Sequence, residues 1–178
     1  CDKIFVTNSI YLIRLKNAIT RSLTRFNNQD SIMYDGTLSR VQTLTNTGKA
    51  NVYGFSNKLS YFISKKLRLL NTISYNYSND VVNKKPLRHS PPLFGKFEIT
   101  YKTKNIELIY NLKYNGKKSI KDFSDSELNK LYLYTEDGSP SWKTHNISMI
   151  YNINYFIKAN ISVENIFDLH YRTYSSGI

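Results

Sequence analysis

Few side chains in this sequence are placed to do chemistry. Three histidines, His89, His145 and His170, lie far apart without metal-motif spacing. One cysteine, Cys1, heads the sequence, so there is neither a disulfide framework nor a cysteine-based metal site. There is no phosphate-cradling glycine loop, no Gly-x-Ser-x-Gly elbow and no His-Glu-x-x-His helix. Glu98 and Glu107 are expected to face each other across a hairpin, but catalysis would need a defined cleft around them. A polar interior accounts for both carboxylates without one. The sequence therefore reads as no enzyme and calls for no cofactor. What remains is recognition, by arginine with its forked donors and by tyrosine with a flat ring and one hydroxyl.

Charge narrows the partners. Lys and Arg together number 25 against 13 Asp and Glu, a net charge of +12. Such a balance attracts nucleic acid or an anionic surface. Nucleic acid would need bases stacked on rings beside the cations, and here the rings fall on the strand face opposite the charges. No nucleic-acid partner is expected, and the lysines read as loops and a wetted face.

The elements that must position these residues are strands. Between Ser141 and Asn165 two alternating runs meet with almost nothing between them. His145, Ile147, Met149, Tyr151 and Ile153 share one parity; Ile157, Ala159, Ile161 and Val163 follow. A period of two marks β-strands, and the gap around Asn154–Phe156 fits only a tight antiparallel hairpin. The same unit recurs upstream. Asn51–Ile63 and Leu67–Tyr77 are joined by a short turn at Ser64–Lys66. Leu93–Tyr101 and Ile106–Tyr114 are joined at Lys102–Asn105. Ile4–Ile19 is the least clean run: Phe5, Tyr11, Ile13 and Leu15 share an uncharged parity with Arg14 and Lys16 opposite, while Ile10 and Leu12 spoil the alternation. Long loops lie at about Arg25–Lys49, with NNQD and DGT turn signals, at Ser78–Pro92, and at about Asn115–Pro140. A fourth begins at Asp168. SDSELNKLYLY allows a helical turn within the third. About seven strands result, in an all-β, up-and-down antiparallel meander.

A soluble sandwich and a transmembrane barrel both alternate this way. Three features favour the barrel. Tight turns all fall on one edge and long loops on the other, as in outer-membrane barrels. Aromatics gather at strand ends, Tyr61, Tyr101 and Tyr155 near the turns and Tyr53, Phe55, Tyr75, Tyr77, Tyr114 and Trp142 near the long loops, as two interfacial girdles would. The central apolar face carries no charge, while Lys58, Arg68, Lys96, Glu98, Glu107, Lys113, Lys158 and Glu164 lie opposite. No apolar run approaches the 18–20 residues of a transmembrane helix, but barrel strands need only about 9–11. Seven strands cannot close such a barrel, and lipid does not tolerate bare edges, so a larger parent chain is expected.

Four stretches resemble the C-terminal barrel half of TonB-dependent outer-membrane receptors. They are Gly48–Asp80, Pro86–Asn105 with its PLRH…PPLFG start, Ser139–Asn154 and Val163–Ile178. The last is the most specific, through Glu164-Asn165-Ile166, Asp168 and Tyr171-Arg172. The resemblance covers nearly all of 1–178, weakly before Asn27. It implies a barrel of about 22 strands with an internal plug. Plug, TonB box and a final strand after Ile178 are not in this sequence. It further implies the outer membrane of a Gram-negative bacterium, contact with lipopolysaccharide, and a TonB complex engaged through the N-terminal region. The implied function is energy-coupled uptake of an iron chelate, such as a siderophore or haem, or of another large scarce nutrient. A passive porin or an adhesion barrel is the alternative. Ligand contact is expected at the long-loop edge, from Tyr34, Arg88, His89, Tyr132, Tyr134 and Arg172.

Overall fold

The computed structural model describes residues 3–17, 19–46, 48–82, 84–87, 90–128 and 130–174. In chain order its strands begin with β1 (Lys3–Lys16). The first loop holds β2 (Ile19–Leu23), β3 (Ser31–Tyr34), β4 (Thr37–Arg40) and β5 (Gln42–Asn46). Then come β6 (Lys49–Phe62), β7 (Leu67–Asp80), β8 (Phe94–Lys102) and β9 (Ile106–Asn115). The third loop holds β10 (Lys118–Ser119), the helical turn α1 (Asp125–Leu128) and β11 (Gly138–Ser139). β12 (Trp142–Asn152) and β13 (Lys158–Val163) complete the set. One seven-stranded sheet runs β1-β6-β7-β8-β9-β12-β13, each strand antiparallel to the next. This is the meander that the alternation predicts, with the helical turn where SDSELNKLYLY allows it.

Register decides which residues share a face. Tyr53 sits opposite Tyr77, and Phe55 opposite Tyr75. Ile99 meets Tyr110, and Tyr101 meets Leu108. Met149 meets Leu108 on one side and Ile161 on the other. One apolar face therefore crosses the sheet, and it is the open one. Ile147 and Ile161 are 49% and 61% exposed, whereas Thr144 and Asn146 on the polar face are 2% and 4% exposed. For a protein in water this arrangement is inside out. A sandwich would cover the apolar face with a second sheet, and none packs there among the described residues. The face belongs against lipid, and the polar face lines the inside of a larger barrel.

β1 departs from the sequence expectation. Register puts Phe5, Tyr11, Ile13 and Leu15 opposite Ser60, Gly54, Val52 and Ala50, all on the inner face. Ile4, Val6, Ile10 and Leu12 instead meet Tyr61, Leu59, Phe55 and Tyr53 on the outer one. Both parities of β1 are apolar, so alternation cannot choose between them. Gly54 does: a Cβ there would lie 2.2 Å from the Tyr11 ring. The ring needs the space that only glycine leaves.

The tight turns share one device. Ser64 Oγ accepts from the Leu67 amide at 3.1 Å. Thr103 Oγ1 accepts from the Ile106 amide at 3.0 Å. Asn154 Oδ1 accepts from the Ile157 amide at 3.0 Å. In each, a short polar side chain takes over a backbone acceptor's role and closes the hairpin. The long connections all leave from the other edge. In the first, positive φ at Asn27 and Asn28 (50° and 60°) and at Asp35 and Gly36 (48° and 73°) makes two tight reversals, the second between β3 and β4. The NNQD and DGT signals sit at these points.

Candidate functional site

The inner wall is polar and tied together. Glu98 accepts from Lys96 Nζ at 2.7 Å and from Arg68 Nη2 at 2.9 Å. Thr100 Oγ1 adds a third donor at 3.3 Å. Glu98 and Glu107 do not face each other, contrary to expectation. Glu98 lies opposite Asn111, and Glu107 lies opposite Lys102, whose ammonium is 3.2 Å away. The two carboxylates are four register positions apart, each with its own cation, so they make no acid–base pair.

A second inner feature explains the most specific stretch of the sequence. Asn146 donates to Asn111 Oδ1 at 2.8 Å and accepts from the Asn165 amide at 2.8 Å. The Asn165 side chain then grips Leu169 twice, as acceptor from its amide and donor to its carbonyl, both at 3.1 Å. Asn165 has φ of 49°, which asparagine tolerates better than most residues. The chain leaves β13 through this knot and turns back over β12, where Ile166 donates to the His145 carbonyl.

Above the strands the long loops meet. Lys118 donates to the Ser90 carbonyl, joining the third loop to the second. Lys85 and Asp125 join them again at 2.7 Å. α1 lies against β2 of the first loop. Phe123 stacks with Tyr134 and Tyr174 at centroid distances of 4.8 and 5.0 Å, bringing in the fourth loop. Lys118 also stands 4.7 Å from the centre of the Tyr174 ring. Burial holds its ammonium below the ordinary lysine range, with Asp122 drawing it partly back. Lys118, Phe123 and Tyr174 thus form a small core inside the loop canopy.

The sequence candidates divide accordingly. Tyr34, beside the β3–β4 reversal, is 71% exposed, and Tyr132 is 75% exposed; both are open to a ligand. Tyr134 is turned inward, its hydroxyl donating to Glu127 at 2.7 Å, so it orders the canopy. Arg172 follows Tyr171, whose ring stacks on Trp142 at 4.3 Å, and its Nε is buried without a partner among the described residues. Arg88 and His89 lie outside the described residues. No contact joins Tyr34 to the others. Trp142 lies opposite Asn115 on the inner parity, not in the outer girdle. A cleft of 600 Å³ near it is lined by Tyr114, Trp142, Lys143, Phe167 and Leu169. His145 is engaged by the Tyr110 hydroxyl at 2.8 Å. No group of three His, Cys, Asp or Glu among the described residues could hold a metal ion. The asparagine knot and the buried Lys118 were missed because single polar residues carry no period; the recurrence of asparagine at strand ends was the available signal.

Comparison with known proteins agrees with this architecture. No curated protein matches the sequence. Among solved structures, a chain described as copper transporter OprC is similar with a TM-score of 0.75 at 17% identity, over 97% of this chain. The match spans 24% of that transporter's chain, so this sequence corresponds to about a quarter of it. At that identity the likeness is one of fold. The family model described as TonB dependent receptor-like, beta-barrel matches residues 2–166. The inside-out meander, its short turns on one edge and its loop canopy on the other are parts of that barrel, and the chain belongs to the TonB-dependent receptor-like β-barrel family.

Proposed function

We propose that residues 1–178 are part of the barrel domain of an outer-membrane receptor that takes up a large scarce nutrient by energy coupling. An iron chelate such as a siderophore or haem is the favoured cargo. The observation that carries this reading is the convergence of four long loops over one edge of a sheet whose apolar face is open. Such an edge presents exposed rings, Tyr34 and Tyr132, beside a basic lining. Flat rings and cations suit the organic periphery of an anionic chelate. The described residues offer no cluster for a bare metal ion, so recognition falls to that periphery. Energy would reach the barrel through a plug and TonB-contacting segment elsewhere in the parent protein, in the outer membrane of a Gram-negative bacterium.

The test uses the full-length parent in its own cell. A strain lacking it is grown on single iron sources, on haem and under copper limitation. Loss of growth on one iron chelate, restored by the wild-type gene, supports the proposal. A defect confined to copper limitation would replace the cargo, and normal growth and uptake throughout would remove the transport reading. With the cargo known, Tyr34→Ala combined with Tyr132→Ala should weaken binding by about 10-fold, if each ring contributes about 0.7 kcal/mol, at unchanged surface expression.

A further inference from the structure

Three cations crowd the lipid-facing side of β1 and β6. Lys16 lies directly opposite Lys49, and Arg14 lies opposite Asn51, two positions nearer the membrane. The row continues with Leu12 opposite Tyr53 and Ile10 opposite Phe55, which fixes it to the outer face. Neighbouring strands are about 4.8 Å apart and alternate residues on one strand about 6.8 Å. Like charges directly opposite each other destabilise a strand pair. Yet Arg14, Lys16 and Lys49 make no ion pair among the described residues. The nearby acid, Asp80, sits opposite Ala50 on the inner parity and accepts from the Val82 amide.

Tyr53 marks the depth. Its hydroxyl accepts from Asn51 Nδ2 at 3.0 Å, so the polar tip points toward the loop edge while the ring belongs to the apolar band. That is the posture of tyrosine at a membrane–water interface. Phe55 and Tyr75 continue below it, ring centres 6.2 Å apart. The cations therefore stand one step outside the aromatic girdle, at headgroup level, on the wall away from the lumen. A nutrient passing through the barrel does not reach them.

We propose that Arg14, Lys16 and Lys49 form a site for the phosphate groups of the outer-leaflet glycolipid, lipopolysaccharide. The inference rests on the outer-membrane reading above. One phosphate between Lys16 and Lys49 turns a repulsive pair into a shared attraction. The Arg14 fork takes two oxygens of the same or a neighbouring phosphate. The acyl chains then lie over Leu12, Ile10 and Phe55.

The full-length parent is purified from outer membranes in mild detergent, and retained glycolipid is measured by native mass spectrometry. Wild type is expected to keep bound lipopolysaccharide. The triple variant Arg14→Gln, Lys16→Gln, Lys49→Gln should bind it more weakly, on the order of a hundredfold for three interfacial cations. The inner-face control Lys58→Gln should bind as wild type does. Glycolipid stripped of phosphates should fail to rebind, and inorganic phosphate at millimolar concentration should not displace the intact lipid. Equal retention by wild type and triple variant, equal loss in Lys58→Gln, or full displacement by inorganic phosphate would each overturn the site. Heat-modifiable migration of the parent and its outer-membrane fractionation are read in parallel. A folded outer-membrane barrel without bound glycolipid defeats this inference alone, while a parent absent from that membrane defeats the wider reading too.

Discussion

Asn146 shows how a single side chain can hold several segments. It links β9 through Asn111 and the fourth loop through the Asn165 amide. Asn146→Ala would strand buried donors and acceptors on both sides, at a cost of about 1–3 kcal/mol. Asn160, exposed on the same face, should cost less than about 0.5 kcal/mol when changed to alanine. Urea unfolding of the refolded parent in lipid vesicles separates the two, and equal effects would contradict the knot. Lys118 makes a pH-dependent prediction. Its folded value is lowered from 10.5, chiefly by burial, so the opened loop binds the proton more tightly than the closed one. Closure is therefore held back at low pH and strengthens as pH rises through the lowered value toward 10.5. Proteolytic nicking of the third loop should slow from pH 8 to 10 in wild type, relative to Lys118→Met. The same pH course in both would remove Lys118 as the cause.

The strands differ in how openly the sequence declares them. β6 to β9 and β12 alternate cleanly, because one face meets lipid and the other water, and selection acts on each in turn. β1 does not, since Tyr11 fills the space over Gly54 from the inner side and leaves rings on both parities. No periodicity reports such a fit. The candidate site was legible in outline: loop edge and exposed tyrosines followed from loop lengths and composition. That Tyr134 points inward did not, because its environment is Phe123 and Tyr174, the latter forty residues downstream. Sidedness itself is testable. Leu108→Arg, on the lipid face, should destabilise the parent by about 2–4 kcal/mol at mid-depth. Asn160→Arg, on the inner face opposite Ile150, should be nearly silent. Asn111→Arg is no silent control, since Asn111 holds Asn146. Reversed effects, measured by unfolding in vesicles, would turn the sheet over.

Taken whole, the molecule is an open strip with β1 and β13 as its edges. Unpaired strand edges and a broad apolar face promote association. Residues 1–178 made alone should therefore aggregate in plain buffer and stay dispersed only with detergent. A monodisperse species melting cooperatively without detergent, followed by light scattering and circular dichroism, would contradict this.

The three side-chain-closed turns also bear on the order in which the strip assembles. A turn of a few residues brings its strands together at little loop-closure entropy, while a long loop costs more. The hairpins β6–β7, β8–β9 and β12–β13 can thus zip early and independently, each starting at Ser64, Thr103 or Asn154. Pairing of β1 with β6, β7 with β8 and β9 with β12 must wait for chain ends held by the long loops. The strip is then built from prefabricated pairs, and its canopy is the last part to set. Ser64, Thr103 and Asn154, on the edge away from any ligand, act as starting points in time, so replacing them should slow assembly far more than it alters the finished wall.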